Sequence, residues 1–277
     1  MTCMVTLWRY KLHQAIFFVN SSTPFNVGSV ERICQDKDFA YRLFSSRIRM
    51  PKTASFLNPF VENEHAKYKI EKSIEHIVDE IGKHSTFPVI VKMNSGCQGN
   101  NVFLCRDKKE AATALKSIYN KNSRFYDYVA LAQQYIKPKR EYRAIFFERK
   151  ALLVYEKDTS GSRFVGNLSP LHFEGAKAVH ITDTQIVGAI EQFAMPIFEL
   201  LPVSFGGFDI IEDEKGKLWL IEINSRPGFS YFVRDNGLEP LVLMYVTILQ
   251  QLKNPSYDGS LTGKSAGKMG QVHQMKL

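Results

Sequence analysis

Apolar residues along this chain recur with two different periods, and helical and extended stretches therefore alternate. Asp36–Ser46 has helical spacing, with Phe39, Leu43 and Phe44 on one side. Arg49-Met50-Pro51 ends it, because proline disfavours helix in the residue before it. Ile70–Ile81 is a second amphipathic helix, its stripe formed by Ile70, Ile74, Ile77, Val78 and Ile81. Asp107–Tyr119 turns Ala111, Ala114, Leu115 and Ile118 inward. Thr184–Leu201 is a long apolar helix with Pro196 marking a kink or break. Glu239–Leu252 is the last, packing Leu241, Val242, Met244, Tyr245 and Ile248. Between them lie short strands: Gln14–Val19, Pro88–Lys92, Val102–Cys105 and Val129–Ile136. Glu141–Phe147 and Leu152–Tyr155 pair as a hairpin across Arg149-Lys150. The class is α+β.

The stretch Phe205–Gly228 carries the chemistry. Phe208, Ile210 and Ile211 are apolar, Glu212–Gly216 is a polar turn, and Leu218–Ile223 is apolar except for Glu222. A hairpin with the two-residue loop Lys215-Gly216 sets Glu214 opposite Lys217 and Asp209 opposite Glu222. Asn224, two residues on, points the same way. A surface hairpin with scattered acids is the plain alternative. Leu220, Ile221 and Ile223 count against it, since they flank Glu222 with residues that prefer burial. Two buried carboxylates side by side need a cation or hydrogen bonds. Mg²⁺ suits such a set, because it takes one or two carboxylates and completes its shell with water and phosphate oxygens.

Composition narrows the classes. A chain of 277 residues with 44% hydrophobic content can build one large domain or two small ones. No apolar run reaches membrane-span length, and Ala15–Val19 is too short for a signal-peptide core. Cys3, Cys34, Cys97 and Cys105 form no CxxC pair, which fits a reducing cytoplasm. No HExxH occurs. The net charge of +8 favours an anionic ligand without separating nucleotide, acidic peptide and nucleic acid. From Asn254 to Leu277 the chain turns to Gly, Ser, Lys and Gln and reads as a flexible tail. Its Gly259–Ser265 stretch imitates a P-loop but has one residue too few and no preceding strand.

The strands Pro88–Lys92 and Val102–Cys105 flank a loop, Met93–Asn101, in which Gly96 and Gly99 let backbone N–H groups approach phosphate. Lys92 adds a charge at the end of the first strand. The spacing alone is weak, since an ordinary hairpin turn has it too. Gln133-Gln134-Tyr135-Ile136 leads from a strand into Lys137-Pro138, and offers backbone groups to an adenine edge. Glu141 could hold ribose hydroxyls and Arg143 could face phosphates.

In this order the segments resemble the ATP-grasp superfamily, and within it the RimK-type and glutathione-synthetase-like carboxylate–amine ligases. Asp36-Lys37, PVIVKMNSGCQGNNVFL, QQYIKPKREYR and GGFDII…LWLIEINSRPG carry the resemblance, which covers roughly Asp36–Leu252. It implies an ATP-grasp fold of two subdomains, each with an antiparallel sheet and helices, gripping ATP between them. The implied organisation is a short N-terminal segment over residues 1–35, a glycine-loop subdomain over 36–132, a metal-site subdomain over 133–253, and the tail over 254–277. Lys37, Lys92, Gly96 and Gly99 are implied to meet ATP phosphates. Gln134, Tyr135 and Ile136 are implied to frame adenine and Glu141 the ribose, with Gln98 and Gln133 also among the nucleotide-binding residues. Arg143 is expected beside the transferred phosphate. Asp209, Glu222 and Asn224 are the implied Mg²⁺ ligands, with Mn²⁺ as an alternative metal. Arg163 and Asn167 resemble a nucleotide-binding Arg…Asn segment at longer spacing than the family's.

Two departures matter. Asn101 stands where the family's loop has a third glycine, and Asn tolerates left-handed backbone. Only Met1–Gln35 precede the Asp36-Lys37 pair, so part of the substrate platform is expected to be absent, replaced, or supplied by a second copy or a partner chain.

The implied function is ATP-dependent ligation of a small-molecule or peptide carboxylate to an amine through an acyl phosphate, in the cytoplasm. An ATP-grasp kinase of a small anionic compound and a non-catalytic nucleotide-binding regulator are the alternatives. Nucleic acid and membrane are not expected as partners. Arg226 stands two residues after Asn224 and is expected, with Arg143, near the reacting end. It binds an incoming carboxylate there or neutralises a neighbouring acid.

Overall fold

A computed structural model describes residues 5–9, 15–19, 23–61, 67–68, 70–96 and 99–253. Strands β1 (Val5–Arg9) and β2 (Ala15–Val19) pair antiparallel as a separate two-stranded sheet. Helices α1 (Gly28–Gln35) and α2 (Lys37–Phe44) follow. Next come β3 (Thr53–Leu57), α3 (Ile74–His84), β4 (Val89–Met93), β5 (Val102–Cys105), α4 (Lys108–Ile118) and β6 (Val129–Gln134). These strands form a four-stranded sheet in the order β3-β6-β4-β5. The chain then passes into β7 (Pro138–Phe147), β8 (Lys150–Asp158), β9 (Lys177–His180), α5 (Thr184–Leu200), β10 (Phe205–Asp213), β11 (Leu218–Asn224), α6 (Ser230–Asn236) and α7 (Glu239–Lys253). Its second large sheet has the order β11-β10-β7-β8-β9.

Each sheet sorts its side chains by parity. In the four-stranded sheet Val89, Val91, Ala130, Ala132 and Cys105 face a core closed by α3 and α4. Ile90, Lys92, Val102, Leu104 and Gln133 face the other way, into a cavity. In the five-stranded sheet Tyr142, Ala144, Phe146, Val154, Phe208 and Ile210 pack under α1, α2 and α5. The opposite face is divided. Ile145, Phe147, Tyr155 and Phe205 are covered by Phe232 of α6 and by Met244 and Ile248 of α7. Further along the same strands, Glu141, Arg143, Lys157 and Asp209 carry on that face into the cavity.

The expected elements are present with ends shifted by a few residues. Ile70 lies before α3 and is exposed, so it is no part of the stripe. Phe39 and Val242 also point to solvent, where Ala40 and Phe44 of α2, and Met244 and Ile248 of α7, are buried. Helix α5 runs through Pro196 without ending there. The strand expected to reach Ile136 stops at Gln134. Strands β1, β3 and β9 and helices α1 and α6 had not been expected. The tail beyond Lys253 and residues Cys97 and Gln98 of the loop lie outside the described residues.

The β10–β11 hairpin reaches the expected pairing by another route. Asp213 N–H donates to Lys217 O and Gly216 N–H to Asp213 O, so the loop holds three residues, with Gly216 at φ 72°. That register alone would bring Ile221 opposite Asp209. A bulge intervenes: Ile210 pairs with Leu220 and Asp209 with Glu222, which leaves Ile221 as the extra residue. The bulge reverses the phase of β11. Leu218 and Leu220 therefore join the α5 core, while Glu222 and Asn224 face the cavity.

Candidate active site

A cavity of about 750 Å³ lies between the two larger sheets. Its size suits a small-molecule ligand. Pro51, Ile90, Leu104 and Ile211 contribute apolar lining, together with Gln134, Tyr135 and Ile136. Gln134 N–H donates to Lys52 O at 2.7 Å, which anchors the segment leading from one sheet to the other. Gln133 is buried and bridges Thr53 and Lys92, accepting from Lys92 Nζ at 3.0 Å. It orients the lysine.

The charged part of the cavity draws on four strands of the five-stranded sheet, on β4 and on α2. Arg143 donates to both Asp209 carboxylate oxygens at 2.6 Å. Lys157 sits 3.1 Å from Asp209 and 2.6 Å from Glu141. Both Lys157 and Asp209 are buried. Burial by itself would raise the Asp209 pKa, but Arg143 and Lys157 overcome it and hold the carboxyl well below its ordinary range. Burial would likewise lower Lys157, and Asp209 and Glu141 reverse that. Glu222 accepts from Asn224 Nδ2 at 3.0 Å and lies 3.8 Å from Lys37 Nζ. Lys37, Lys92, Arg143 and Lys157 thus surround Glu141, Asp209 and Glu222. With Arg226, five cations among the described lining residues face three anions, and the surplus suits a polyanion.

Lys92 is the exception among the cations. Burial, with Lys37 nearby, pulls its pKa down to about 8 despite Glu222. A phosphate placed against it would raise that pKa again. Nucleotide binding at pH 8.5 should therefore take up protons, and affinity should fall as pH rises from 8. Titration calorimetry in buffers of different ionisation enthalpy reads the uptake, and zero uptake would remove Lys92 from the phosphate site.

The loop after β4 is tied from several sides. Lys37 Nζ donates to the Gly96 carbonyl, Asp38 N–H donates to Asn94 Oδ1 at 2.9 Å, and Ser95 N–H donates to Asp127 at 2.8 Å. Asn101 has the left-handed conformation expected of it, φ 49°, and its side chain donates to Phe125 O. Gly99 has φ 70°, and a Cβ there would come within 2.1 Å of Asn167 Oδ1. Asn167 therefore lies against the glycine loop although it is remote in sequence. Gly99→Val combines a strained φ with that clash. It should weaken nucleotide binding at least 10-fold while the melting temperature changes little, as followed by a fluorescent ATP analogue and thermal unfolding.

Of the residues expected in the site, Arg163 is not brought to the cavity: it is exposed and paired with Glu174 on the surface. Gln98 is outside the described residues. Arg226 lines the cavity, and its guanidinium is paired with Glu31 of α1 at 2.7 Å. Lys157 and the segment from Leu168 to Phe173 had not been singled out. Lys157 carried a legible signal, because it is in phase with the core residues Leu153 and Tyr155 along β8.

Asp209, Glu222 and Asn224 offer oxygen donors of a kind that fits a hard cation. The described residues hold no cluster of three acidic, His or Cys side chains able to bind a metal without help. Both Asp209 oxygens are also engaged by cations. The set therefore fits Mg²⁺ arriving with phosphate oxygens better than a resident metal.

This arrangement, with two sheets closing on a cavity that holds a glycine loop and a mixed-charge floor, is the ATP-grasp architecture. The family model of the RimK-like ATP-grasp domain matches residues 61–244, and the chain belongs to that family. A probable alpha-L-glutamate ligase of Shewanella pealeana is 24% identical over 220 residues, 79% of this chain and 42% of its own length. The ribosomal protein bS6–L-glutamate ligase of Escherichia fergusonii is 24% identical over 155 residues, 55% of this chain and 47% of its own. The chain spans about half the length of these curated relatives or somewhat less. Among solved structures, a Chryseobacterium gregarium RiPP-associated ATP-grasp ligase in complex with ADP and a leader and core peptide superposes with a TM-score of 0.55. It is 19% identical and aligns over 85% of this chain and 65% of its own. Among the described residues no helix is long and apolar enough to cross a membrane.

Proposed function

We propose that this chain is an ATP-dependent carboxylate–amine ligase working through an acyl phosphate. The observation that carries it is the cavity in which Lys37, Lys92, Arg143 and Lys157 meet Asp209, Glu222 and Asn224 beside the glycine loop. Family membership supports the same reading. ATP is the proposed nucleotide, with its base at Gln134–Ile136 and its phosphates toward Lys37, Lys92 and Gly99. Glu141 is bonded to Lys157 through one oxygen, and its second oxygen would receive a ribose hydroxyl. Asp209, Glu222 and Asn224 would hold Mg²⁺, which when bound offsets charge on the transferring phosphoryl group.

In this reading a substrate carboxylate oxygen attacks the γ-phosphorus and ADP leaves. An amine nitrogen then attacks the acyl carbon and phosphate leaves. Half-buried Arg143 and buried Lys157 are held in place by Asp209, so they would stabilise developing negative charge without reorganising. The names of the relatives make L-glutamate the first amine to try, and a peptide carboxylate the first acid. The test is ATP-dependent phosphate release over an acid and amine panel, with mass spectrometry of the products. Amide mass with equimolar phosphate supports the ligase. Phosphate retained on the acid would make the chain a kinase.

A further inference from the structure

One wall of the cavity lies outside the proposed nucleotide contacts and the charged cluster. Ser169, Leu171, His172, Ser230 and Tyr231 form it. His172 ends a 3-10 turn, Pro170–His172, whose Leu171 is buried in the core under α6 and α7. His172 N–H donates to Ser169 O at 2.9 Å and Phe173 N–H to Pro170 O at 2.9 Å, so the turn is closed on itself. Asn167 at the start of this segment accepts from Ser169 N–H and rests against Gly99. The imidazole is therefore held between the glycine loop and α6.

His172 Nδ1 lies 3.4 Å from the Tyr231 hydroxyl, and the two rings are 5.3 Å apart. The Arg234 guanidinium sits over the other ring at 5.1 Å and is itself bonded to Asp235 and to Ala176 O. These are the groups that face His172 from α6. Its own turn supplies Ser169 and Phe173. In the tautomer whose Nδ1–H donates to the Tyr231 oxygen, Nε2 is the acceptor, and this is the tautomer the role below requires.

The second step of the proposed reaction needs a base, because an amino-acid amine is an ammonium ion at neutral pH. Every carboxylate lining the cavity already faces cations: Glu141 faces Lys157, Asp209 faces Arg143 and Lys157, and Glu222 faces Lys37. Lys92 stands among those same charges. Among the described cavity residues His172 is the one imidazole.

Resting on the ligase reading, we propose that His172, oriented by Tyr231, is the general base for the incoming amine. The ammonium gives one proton to Nε2, and the freed nitrogen pair forms the C–N bond at the acyl carbon. The C–O bond to phosphate breaks, phosphate leaves with the electron pair, and it takes the second nitrogen proton as HPO₄²⁻. His172 returns its proton to water.

Hydroxylamine separates this role from the rest of the chemistry. It is unprotonated at neutral pH, so it traps an acyl phosphate without a base. The assay uses ATP, Mg²⁺, a defined mixture of peptides bearing C-terminal and side-chain carboxylates, and either L-glutamate or hydroxylamine, read by mass spectrometry. His172→Gln should lower glutamyl amide formation about 10²-fold at pH 7 and leave hydroxamate formation within about 2-fold of wild type. The amide deficit should shrink as pH rises toward the pKa of the amine. Tyr231→Phe keeps the ring and should give a smaller deficit of the same pattern. An equal fall in both products, or normal amide formation in His172→Gln, overturns the assignment. No hydroxamate from the wild type overturns the ligase reading instead.

Discussion

Asp209→Asn should abolish turnover and also destabilise the fold, whereas Glu222→Gln should lose turnover with little change in stability. The two carboxylates face each other across β10 and β11, and a charge-only argument treats them alike. Their surroundings differ. Asp209 is buried and is the anion that Arg143 and Lys157 share. Replacing it with a neutral amide leaves buried Lys157 with Glu141 alone and strips half-buried Arg143 of its bidentate partner. Breaking a buried pair in this way costs about 3–5 kcal/mol. For a chain of this size that is a melting-temperature drop on the order of 10 °C. Glu222 is only half-buried and faces Lys37 at 3.8 Å, so its charge can go at small cost. Both should reduce turnover by about 10²-fold or more through the phosphoryl-transfer site.

The pH dependence follows from the depressed pKa of Asp209. Its stabilisation is full above the unfolded value of about 3.9 and is lost as pH falls below it, so wild type and Asp209→Asn should converge in stability in acid. Thermal unfolding at several pH values, alongside ATP-dependent phosphate release, checks both parts. Equal stability of the two variants would contradict the shared-anion geometry, and wild-type turnover in both would contradict the metal assignment.

Lys157→Met should lower turnover about 10²- to 10³-fold and leave nucleotide affinity less affected. The side chain is buried and touches both Glu141 and Asp209, so it links the proposed ribose end to the proposed metal end. Methionine preserves the packing volume of the stem and removes the charge. Asp209 keeps Arg143, and the unpaired group is then Glu141, which retains some solvent contact. The expected stability loss is therefore about 1–3 kcal/mol, below that of Asp209→Asn. Steady-state kinetics and chemical denaturation of the pair of variants decide the ranking. Stability falling more in Lys157→Met than in Asp209→Asn would mean that Glu141, not Asp209, anchors the cluster.

Much of this site was legible before any coordinates. The glycine loop, the Gln133–Ile136 segment and Asp209, Glu222 and Asn224 are short runs whose residue types carry their chemistry locally. Asn101 is a clear case, since a residue that tolerates φ > 0 stands where φ is 49°. What escaped depended on distant contacts. Lys157 acquires its role only because β8 lies beside β7 and β7 beside β10. His172 meets Tyr231 across 59 residues of chain. Arg226 finds Glu31 across 195 residues, an acid that no local pattern could offer it.

The alternation of apolar runs and the order of the motifs determined the α+β class, most of the elements and the identity of the candidate ligands, because each depends on residues a few positions apart. Which face a side chain occupies was decided only by the tertiary structure. Strict alternation along Leu218–Asn224 puts Glu222 and Asn224 in phase with the core residues Leu218 and Leu220. A two-residue loop would have paired Asp209 with Glu222 directly, but the loop has three residues, and a single bulge at Ile221 restores the pairing. The reason is energetic: α5 takes Leu220 into its core on one side of the strand, while Arg143 and Lys157 collect carboxylates on the other. An extra residue lets one strand satisfy both.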